Sequence, residues 1–169
     1  MSPVGVAFSA ASDGDLKDPN DRERFAASVG IPFAWATANQ VHGAGVIAVE
    51  APGPAGDADG LVTRSPDVPV AVFTADCLGV VLHGDDAVGV GHAGWRGLAA
   101  GVIEAVADVM PSRPERAHLG PSIGPCCFEV GAEVIEAVGH PSETSWGTPS
   151  VDLRAAAAAR LRAIAPDLD

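Results

Sequence analysis

Short apolar runs separated by glycine, proline and polar residues fill the chain from residue 33 to residue 91 and restrict the fold most. Several runs, such as 70–73 (VAVF), are apolar at every position, which is typical of strands covered on both faces. After Gly94 the apolar residues recur at helical spacing as far as residue 110. This order predicts an α/β fold, in which a mixed β-sheet sandwich is flanked by helices.

The same patterns predict the individual elements. Asp21 is the expected N-cap of the first helix, and Asp152 that of the last. Residues 120–127, rich in glycine and proline, are expected to form a loop. The predicted helices cover 22–29, 97–110, 128–138 and a last segment beginning at 153, and the predicted strands cover 4–8, 33–38, 45–50, 60–63, 70–74, 78–83, 87–91 and 117–119.

Composition limits the location and the partners of the chain. Its 169 residues suit one domain spanning 1–169, and its net charge of −12 disfavours binding to nucleic acid or to anionic membranes. No apolar run approaches the roughly 20 residues needed to span a bilayer, and the N-terminus lacks the features of a secretory signal. Three cysteines form no disulfide framework. We therefore expect a cytoplasmic protein that acts on small molecules, whose oligomeric state the sequence leaves open.

Three segments carry side chains that bind transition metals, each where a predicted strand meets a turn. They contain His42, Cys77 and His92, surrounded by small residues. Two imidazoles and a thiolate suit zinc, and three protein ligands leave a fourth position for water or substrate, as in catalytic zinc sites. Alternatively, these are two partly buried histidines and a core thiol, since spacing alone does not bring the segments together.

Five motifs occur in order along the chain: residues 40–43 (QVHG), 58–63 (ADGLVT), 74–77 (TADC), 92–97 (HAGWRG) and 120–131 (GPSIGPCCFEVG). With these motifs the chain resembles the YfiH-like family, also called the laccase-domain or polyphenol oxidase family. The resemblance extends from Phe8 to about Ala158. Ser122 stands where many members have a cysteine, and members usually continue beyond the point where this chain ends, at Asp169, into a Tyr-Arg-Arg-like stretch and a final strand.

The resemblance implies a metal site at His42, Cys77 and His92, which are also the expected catalytic residues. It implies phosphorolysis of purine nucleosides such as adenosine, inosine and methylthioadenosine, with adenosine deamination as a side activity. Oxidation of phenols with copper in place of zinc is an alternative. The fold is expected to be similar to that of the cytotoxic necrotizing factor toxins, so a Cys77/His92 amide hydrolase without an obligatory metal is another. The last alternative is a metal-binding interaction module that has lost its catalytic activity.

Three further residues are candidates for substrate binding. Gln40 lies two positions before His42, so both side chains can point to one face of an extended segment. Asp76 can contact the substrate or orient a ligand histidine, and Arg96 can hold a phosphate by its planar guanidinium. Each also has a structural interpretation, as a turn residue or a surface ion pair. Trp95, Cys126 and Cys127 are expected to be packed in the interior, although Trp95 could also stack on a purine.

Overall fold

The computed structural model describes residues 5–168, and a five-stranded mixed sheet forms its centre. The strand order is β2-β4-β6-β5-β7, in which β2 and β4 run parallel and all other neighbours run antiparallel. Two small sheets pair β1 with β3 and β8 with β9. The strands are β1 Ala36–Asn39, β2 Val46–Val49, β3 Gly53–Asp57, β4 Gly60–Thr63, β5 Leu78–His83, β6 Val88–Ala93, β7 Arg116–Leu119, β8 Pro141–Glu143 and β9 Pro149–Val151.

Five α-helices accompany the sheets, and the predicted α/β architecture is confirmed. The sheet has an apolar layer on each face, because alternate side chains of a strand point to opposite sides. Val62 and the even-numbered residues of β5 pack with the helices, whereas Leu61 and Val90 pack toward β1 and β3. The helices are α1 Pro19–Val29, α2 Trp95–Ala100, α3 Val102–Val109, α4 Ala132–Val138 and α5 Leu153–Ile164.

Several predicted elements in the first half of the chain are wrong. Residues 5–8 form no strand, and position 4 lies outside the described residues. The first helix begins at Pro19 with Asp18 as its cap, since the Asp18 carboxylate accepts the N–H groups of Asn20 and Asp21. Segment 70–74 contributes one isolated bridge, between Val70 and Ala36, because its backbone follows the small sheet for only one residue.

Other corrections concern helices and short strands. The predicted helix 97–110 is two helices, because Gly101 adopts a left-handed conformation with φ 84° between α2 and α3. Helix α4 starts at Ala132 rather than 128, and Glu129 instead bridges to Ser150. Strands β3, β8 and β9 were not predicted, since none carries a regular apolar alternation. Within residues 5–168 no helix has the length and apolarity required to cross a bilayer.

Candidate metal centre

Sheet register brings together the three segments that hold His42, Cys77 and His92. His92 lies in β6 opposite Gly79 of β5, and Cys77 immediately precedes β5. His42 lies in the turn after β1. One candidate ligand atom from each side chain lies within 4.8 Å of the others. The predicted convergence of these three side chains is therefore present in the structure.

The cluster is closed on one side and open on the other. His92 is 3% exposed, Cys77 is half-buried and His42 is exposed. The two imidazole rings stand edge to face, with their centroids 4.8 Å apart and their planes at 73°. A ligand bound between the two rings would contact the buried His92 on one side and remain accessible to solvent on the side of His42.

Asp59 organises two of the three side chains, although the sequence did not single it out. Its carboxylate is fully buried and lies 2.9 Å from His92 Nδ1. It also accepts the backbone N–H groups of Val41, His42 and Gly43 at 3.2, 2.9 and 2.6 Å. His42 has a positive φ of 61°, a conformation that non-glycine residues rarely adopt, and these hydrogen bonds hold the turn in it.

The hydrogen bonds to Asp59 also determine its charge. Burial acts to raise the pKa of this carboxyl, but the contacts with His92, Gly43, His42 and Val41 outweigh burial, so the pKa is lowered. Asp59 is therefore an anion at neutral pH. Because it occupies Nδ1 of His92, the nitrogen left for a metal is Nε2.

Cys77 lies in an environment that suits a metal ligand better than a free nucleophile. Burial raises the pKa of its thiol, the nearby Asp76 carboxylate raises it further, and Arg96 acts in the opposite direction. Gly94 is required beside it, because a methyl group at this position would lie 2.7 Å from Cys77 Sγ. A bound divalent cation would offset this rise in pKa, since metal-coordinated thiols are deprotonated.

A cavity of about 510 Å³ lies over the cluster. Gln40 lines it, but its side-chain amide donates to the Phe73 carbonyl at 2.8 Å and accepts the Phe73 N–H at 2.7 Å. These bonds give Gln40 a clear structural role, and its contact with substrate stays a prediction. Asp76 is exposed in the cavity wall, and Asp59 makes the histidine contact that was considered for Asp76.

The remaining candidate residues lie outside the cavity lining. The Arg96 guanidinium is exposed and stacks on the Trp95 ring at 4.3 Å from its centroid, and Trp95 packs partly against the core. The predicted burial of Cys126 and Cys127 is wrong, because both are exposed in the loop between β7 and α4, with their sulfurs 3.1 Å apart.

The predicted site residues did not include Asp59, which lies beneath the cluster, or the cavity-lining residues Lys17 and Phe73. The Ala58-Asp59-Gly60 sequence lies in one of the family motifs, which is a signal that could have identified Asp59. A single lysine in a polar loop and a phenylalanine in an apolar run carry no comparable signal.

Comparison with known proteins agrees with the geometry of the site. A family model described as "Multi-copper polyphenol oxidoreductase laccase" matches residues 10–165. The chain belongs to this laccase-domain family. The match therefore includes all the helices and strands of the structure, from the loop before α1 to the end of α5.

Curated proteins similar in sequence to this chain carry the name purine nucleoside phosphorylase. The Streptomyces griseus protein "Purine nucleoside phosphorylase ORF3" is 43% identical, with 96% of this chain aligned to 74% of its length. "Purine nucleoside phosphorylase YfiH" of Shigella flexneri is 39% identical, with 81% of this chain aligned to 59% of its length. The aligned part of this chain thus spans 74% of the length of the first relative and 59% of the length of the second.

Solved structures show the same fold. Protein NMB0706 of Neisseria meningitidis has a TM-score of 0.74 and 34% identity, over 88% of this chain and 66% of its own. YlmD of Geobacillus stearothermophilus has a TM-score of 0.75 and 28% identity, over 89% and 67% of the two chains. The hypothetical protein YfiH of Bacillus licheniformis, at 24% identity and a TM-score of 0.77, supports the fold alone.

Proposed function

We propose that this chain is a metal-dependent purine nucleoside phosphorylase that acts on adenosine, inosine and methylthioadenosine. The observation that carries the proposal is the convergence of His42, Cys77 and His92 within 4.8 Å beneath an open cavity. A cavity of about 510 Å³ has the size of typical small-molecule sites. The names of the curated relatives support the choice of substrate class.

The three side chains fit a zinc ion. Two imidazoles and one thiolate are ligands that zinc accepts in catalytic sites, and Asp59 supplies the carboxylate that commonly orients a zinc-bound histidine. His42, Cys77 and His92 would hold the ion. When bound, such an ion supplies Lewis-acid polarisation of an oxygen atom of the reactants.

In phosphorolysis, a phosphate oxygen forms a bond to C1′ of the sugar while the bond from C1′ to the purine nitrogen breaks. The bonding electron pair leaves with the purine, which takes up a proton from water in the open cavity. The products are the free base and ribose 1-phosphate from adenosine or inosine, and adenine and 5-methylthioribose 1-phosphate from methylthioadenosine, with no net oxidation. Asp76, exposed in the cavity wall, can accept hydrogen bonds from nucleoside hydroxyl or amino groups.

The same site supports the proposed side activity, adenosine deamination. Water adds to the purine carbon that bears the amino group, and ammonia then leaves to give inosine. This reaction needs no phosphate, so it can be separated from phosphorolysis by omitting phosphate from the assay.

Two specific observations disfavour the alternative reactions. The raised pKa of the Cys77 thiol leaves it protonated without a metal, which does not suit a metal-free amide hydrolase. Four-electron reduction of oxygen by laccases normally uses several copper ions. Within residues 5–168, His42, Cys77 and His92 are the only group of three or more His, Cys, Asp or Glu side chains placed to hold a metal ion. This group suffices for one ion.

A direct assay tests the proposal. The purified protein, with its metal content measured, is incubated with adenosine, inosine or methylthioadenosine and phosphate, and the products are separated chromatographically. We expect free base and the corresponding sugar 1-phosphate in equal amounts, and loss of both in Cys77→Ala. Cys127→Ala, which changes an exposed thiol outside the cavity lining, is the matched control and should retain activity. Full turnover in Cys77→Ala would overturn the proposal, and a wild type without turnover would favour the inactive metal-binding module.

A further inference from the structure

The single lysine of the chain lies in the wall of the cavity above His42, Cys77 and His92. Lys17 is the one lysine among 169 residues, in a chain with a net charge of −12. Among the residues that line this cavity in the described part of the chain, it is the one with a permanently cationic side chain. Such an acidic protein needs a local cation wherever it is to bind an anion.

Seven of the nine arginines make contacts of their own, and the other two, Arg116 in β7 and Arg162 in the last turn of α5, do not line the cavity. Arg24, Arg64 and Arg160 form ion pairs with carboxylates, and Arg113 and Arg154 donate to backbone carbonyls. Arg22 packs its guanidinium over Trp35 and Phe73, at 5.3 and 5.7 Å from the ring centroids. Arg96 lies on Trp95.

Local hydrogen bonds fix the backbone at Lys17. Its N–H donates to Asp15 Oδ1 at 3.0 Å, and the next N–H, of Asp18, donates to the Asp15 carbonyl at 2.7 Å. The preceding carbonyl, of Leu16, accepts Arg22 Nε at 2.8 Å. The lysine therefore projects from an ordered turn that leads directly into α1.

Lys17 lines the cavity, and its ammonium group has no carboxylate partner among residues 5–168. Lys17 Nζ lies 5.8 Å from the centroid of the Phe73 ring, and no carboxylate in residues 5–168 lies within 4.0 Å of it. Phe73 is itself tied to Gln40 by two hydrogen bonds, two residues before His42. Lys17 is thus linked through one aromatic contact to the segment that carries a candidate metal ligand.

We propose that Lys17 binds the phosphate co-substrate of the reaction and holds it over the His42, Cys77 and His92 cluster. This inference rests on the proposed phosphorylase function and deepens it. The ammonium group provides charge-assisted hydrogen bonds to phosphate oxygens and offsets repulsion from Asp76, the other charged group in the cavity wall. Arg96, which the sequence favoured for this role, points onto Trp95 instead.

Steady-state kinetics test the assignment. Lys17→Met removes the charge and keeps most of the side-chain length, and we expect it to raise KM for phosphate by about tenfold or more, with KM for the nucleoside nearly unchanged. Lys17→Arg should recover most of the phosphate affinity. Arg162→Met, which removes one positive charge from the exposed end of α5, is the control and should behave like wild type. An unchanged KM for phosphate in Lys17→Met, or a rise in Arg96→Met instead, would overturn the assignment.

Chemical modification gives a second readout that does not depend on turnover. Lys17 and the amino group of Met1 are the primary amines of the 169 residues, so an amine-reactive acylating reagent followed by hydroxylamine leaves stable amides at these positions, which mass spectrometry of peptides distinguishes. We expect inorganic phosphate to slow acylation of Lys17 and to leave that of the amino terminus unchanged. Protection equal at both amines, or at neither, would contradict the proposal.

The two readouts separate failure of this inference from failure of the proposed function. Phosphorolysis with an unchanged phosphate KM in Lys17→Met would retain the function and reject the role of Lys17. Selective protection of Lys17 by phosphate without any phosphorolysis would retain the anion site and reject the function. Protection by a nucleoside 5′-monophosphate but not by inorganic phosphate would reject the co-substrate assignment.

Discussion

Asp59 connects the buried and exposed halves of the candidate metal centre. One carboxylate oxygen contacts His92 Nδ1, and the two oxygens together accept three consecutive N–H groups of the turn that carries His42. A carboxylate beside a ligand histidine fixes the tautomer and increases the basicity of the ligating nitrogen. The effect of Asp59 should therefore appear in metal affinity and, through the three backbone N–H groups, also in stability.

Asp59→Asn tests this role, because it keeps the shape of the side chain and removes its charge. We expect zinc affinity to fall by about 10- to 100-fold. Competition with a chromogenic chelator measures the change. Asp57→Asn is the matched control, since Asp57 is exposed and pairs with Asn39. Equal zinc affinities in the two variants would show that Asp59 does not act through His92.

At the scale of elements, α3 approaches the sheet so closely that two strands require glycine beneath it. A methyl group at Gly89 of β6 would lie 2.5 Å from Val106 Cγ1, and one at Gly60 of β4 would lie 2.7 Å from Val106 Cγ2. At Gly91, on the same face of β6, the nearest side-chain atom would be 3.5 Å away. The contact distance between α3 and β6 is thus set by particular glycines.

Gly89→Ala should lower the free energy of unfolding by about 1–3 kcal/mol, because it overpacks the interface with α3. Gly91→Ala, at an ordinary contact distance, is the control and should change it much less. Denaturant unfolding measures both. Combining Gly89→Ala with Val106→Ala should cost less than the sum of the single changes, since the second removes the clashing methyl group. Strict additivity would argue against this contact.

A histidine pair at the edge of the sheet gives stability a dependence on pH. Burial lowers the pKa of His83, in β5, and the nearby His118 and Arg116 of β7 lower it further. The two imidazole centroids are 5.1 Å apart, and His83 Nε2 is buried without a hydrogen-bond partner among residues 5–168. The folded protein therefore favours neutral His83.

Because the pKa of His83 is lower in the folded state, the unfolded chain takes up more protons as the medium becomes acidic. The associated stability is complete above the ordinary histidine pKa of 6.5 and is lost as the pH falls toward the lowered value. His83→Gln should therefore make the free energy of unfolding less dependent on pH below pH 6.5. Denaturant unfolding at a series of pH values measures this. His140→Gln, outside the sheet, is the control, and identical pH profiles for wild type and His83→Gln would contradict the prediction.

For the whole molecule, the metal centre joins parts of the chain that are distant in sequence. His42 follows β1, Cys77 precedes β5 and His92 lies in β6, so one ion would crosslink the small sheet to the central one. A ligand that binds only the folded state stabilises it by mass action. Metal content and thermal stability should therefore change together.

Removing the metal with a chelator should lower Tm, and adding zinc should restore it in a concentration-dependent way. Differential scanning calorimetry measures the shift. Cys77→Ala should respond weakly to both treatments, whereas Cys126→Ala, at an exposed thiol, should respond like wild type. A Tm of the wild type that does not depend on zinc would show that the three side chains do not hold an ion in solution.

Sequence patterns alone predict the α/β class, most of the strands of the central sheet and the three candidate ligands. These follow from local properties: apolar periodicity, caps and glycines, and the chemistry of imidazole and thiolate groups. Strands β4 and β5 match their predicted limits, because turn residues bound their apolar runs on both sides.

The side chains that support the ligands follow from the packing of the folded chain and could not be predicted from local patterns. Asp59 reaches His92 because β4 and β6 pair with Gly60 opposite Gly91, and a register depends on contacts between residues distant in sequence. The same holds for Lys17, which lines the cavity and follows Leu16, whose carbonyl accepts a hydrogen bond from Arg22. It also holds for Gly101, whose left-handed conformation divides one apolar stripe into two helices. Periodicity reports which face of an element is buried, whereas partners across the fold depend on how the elements pack.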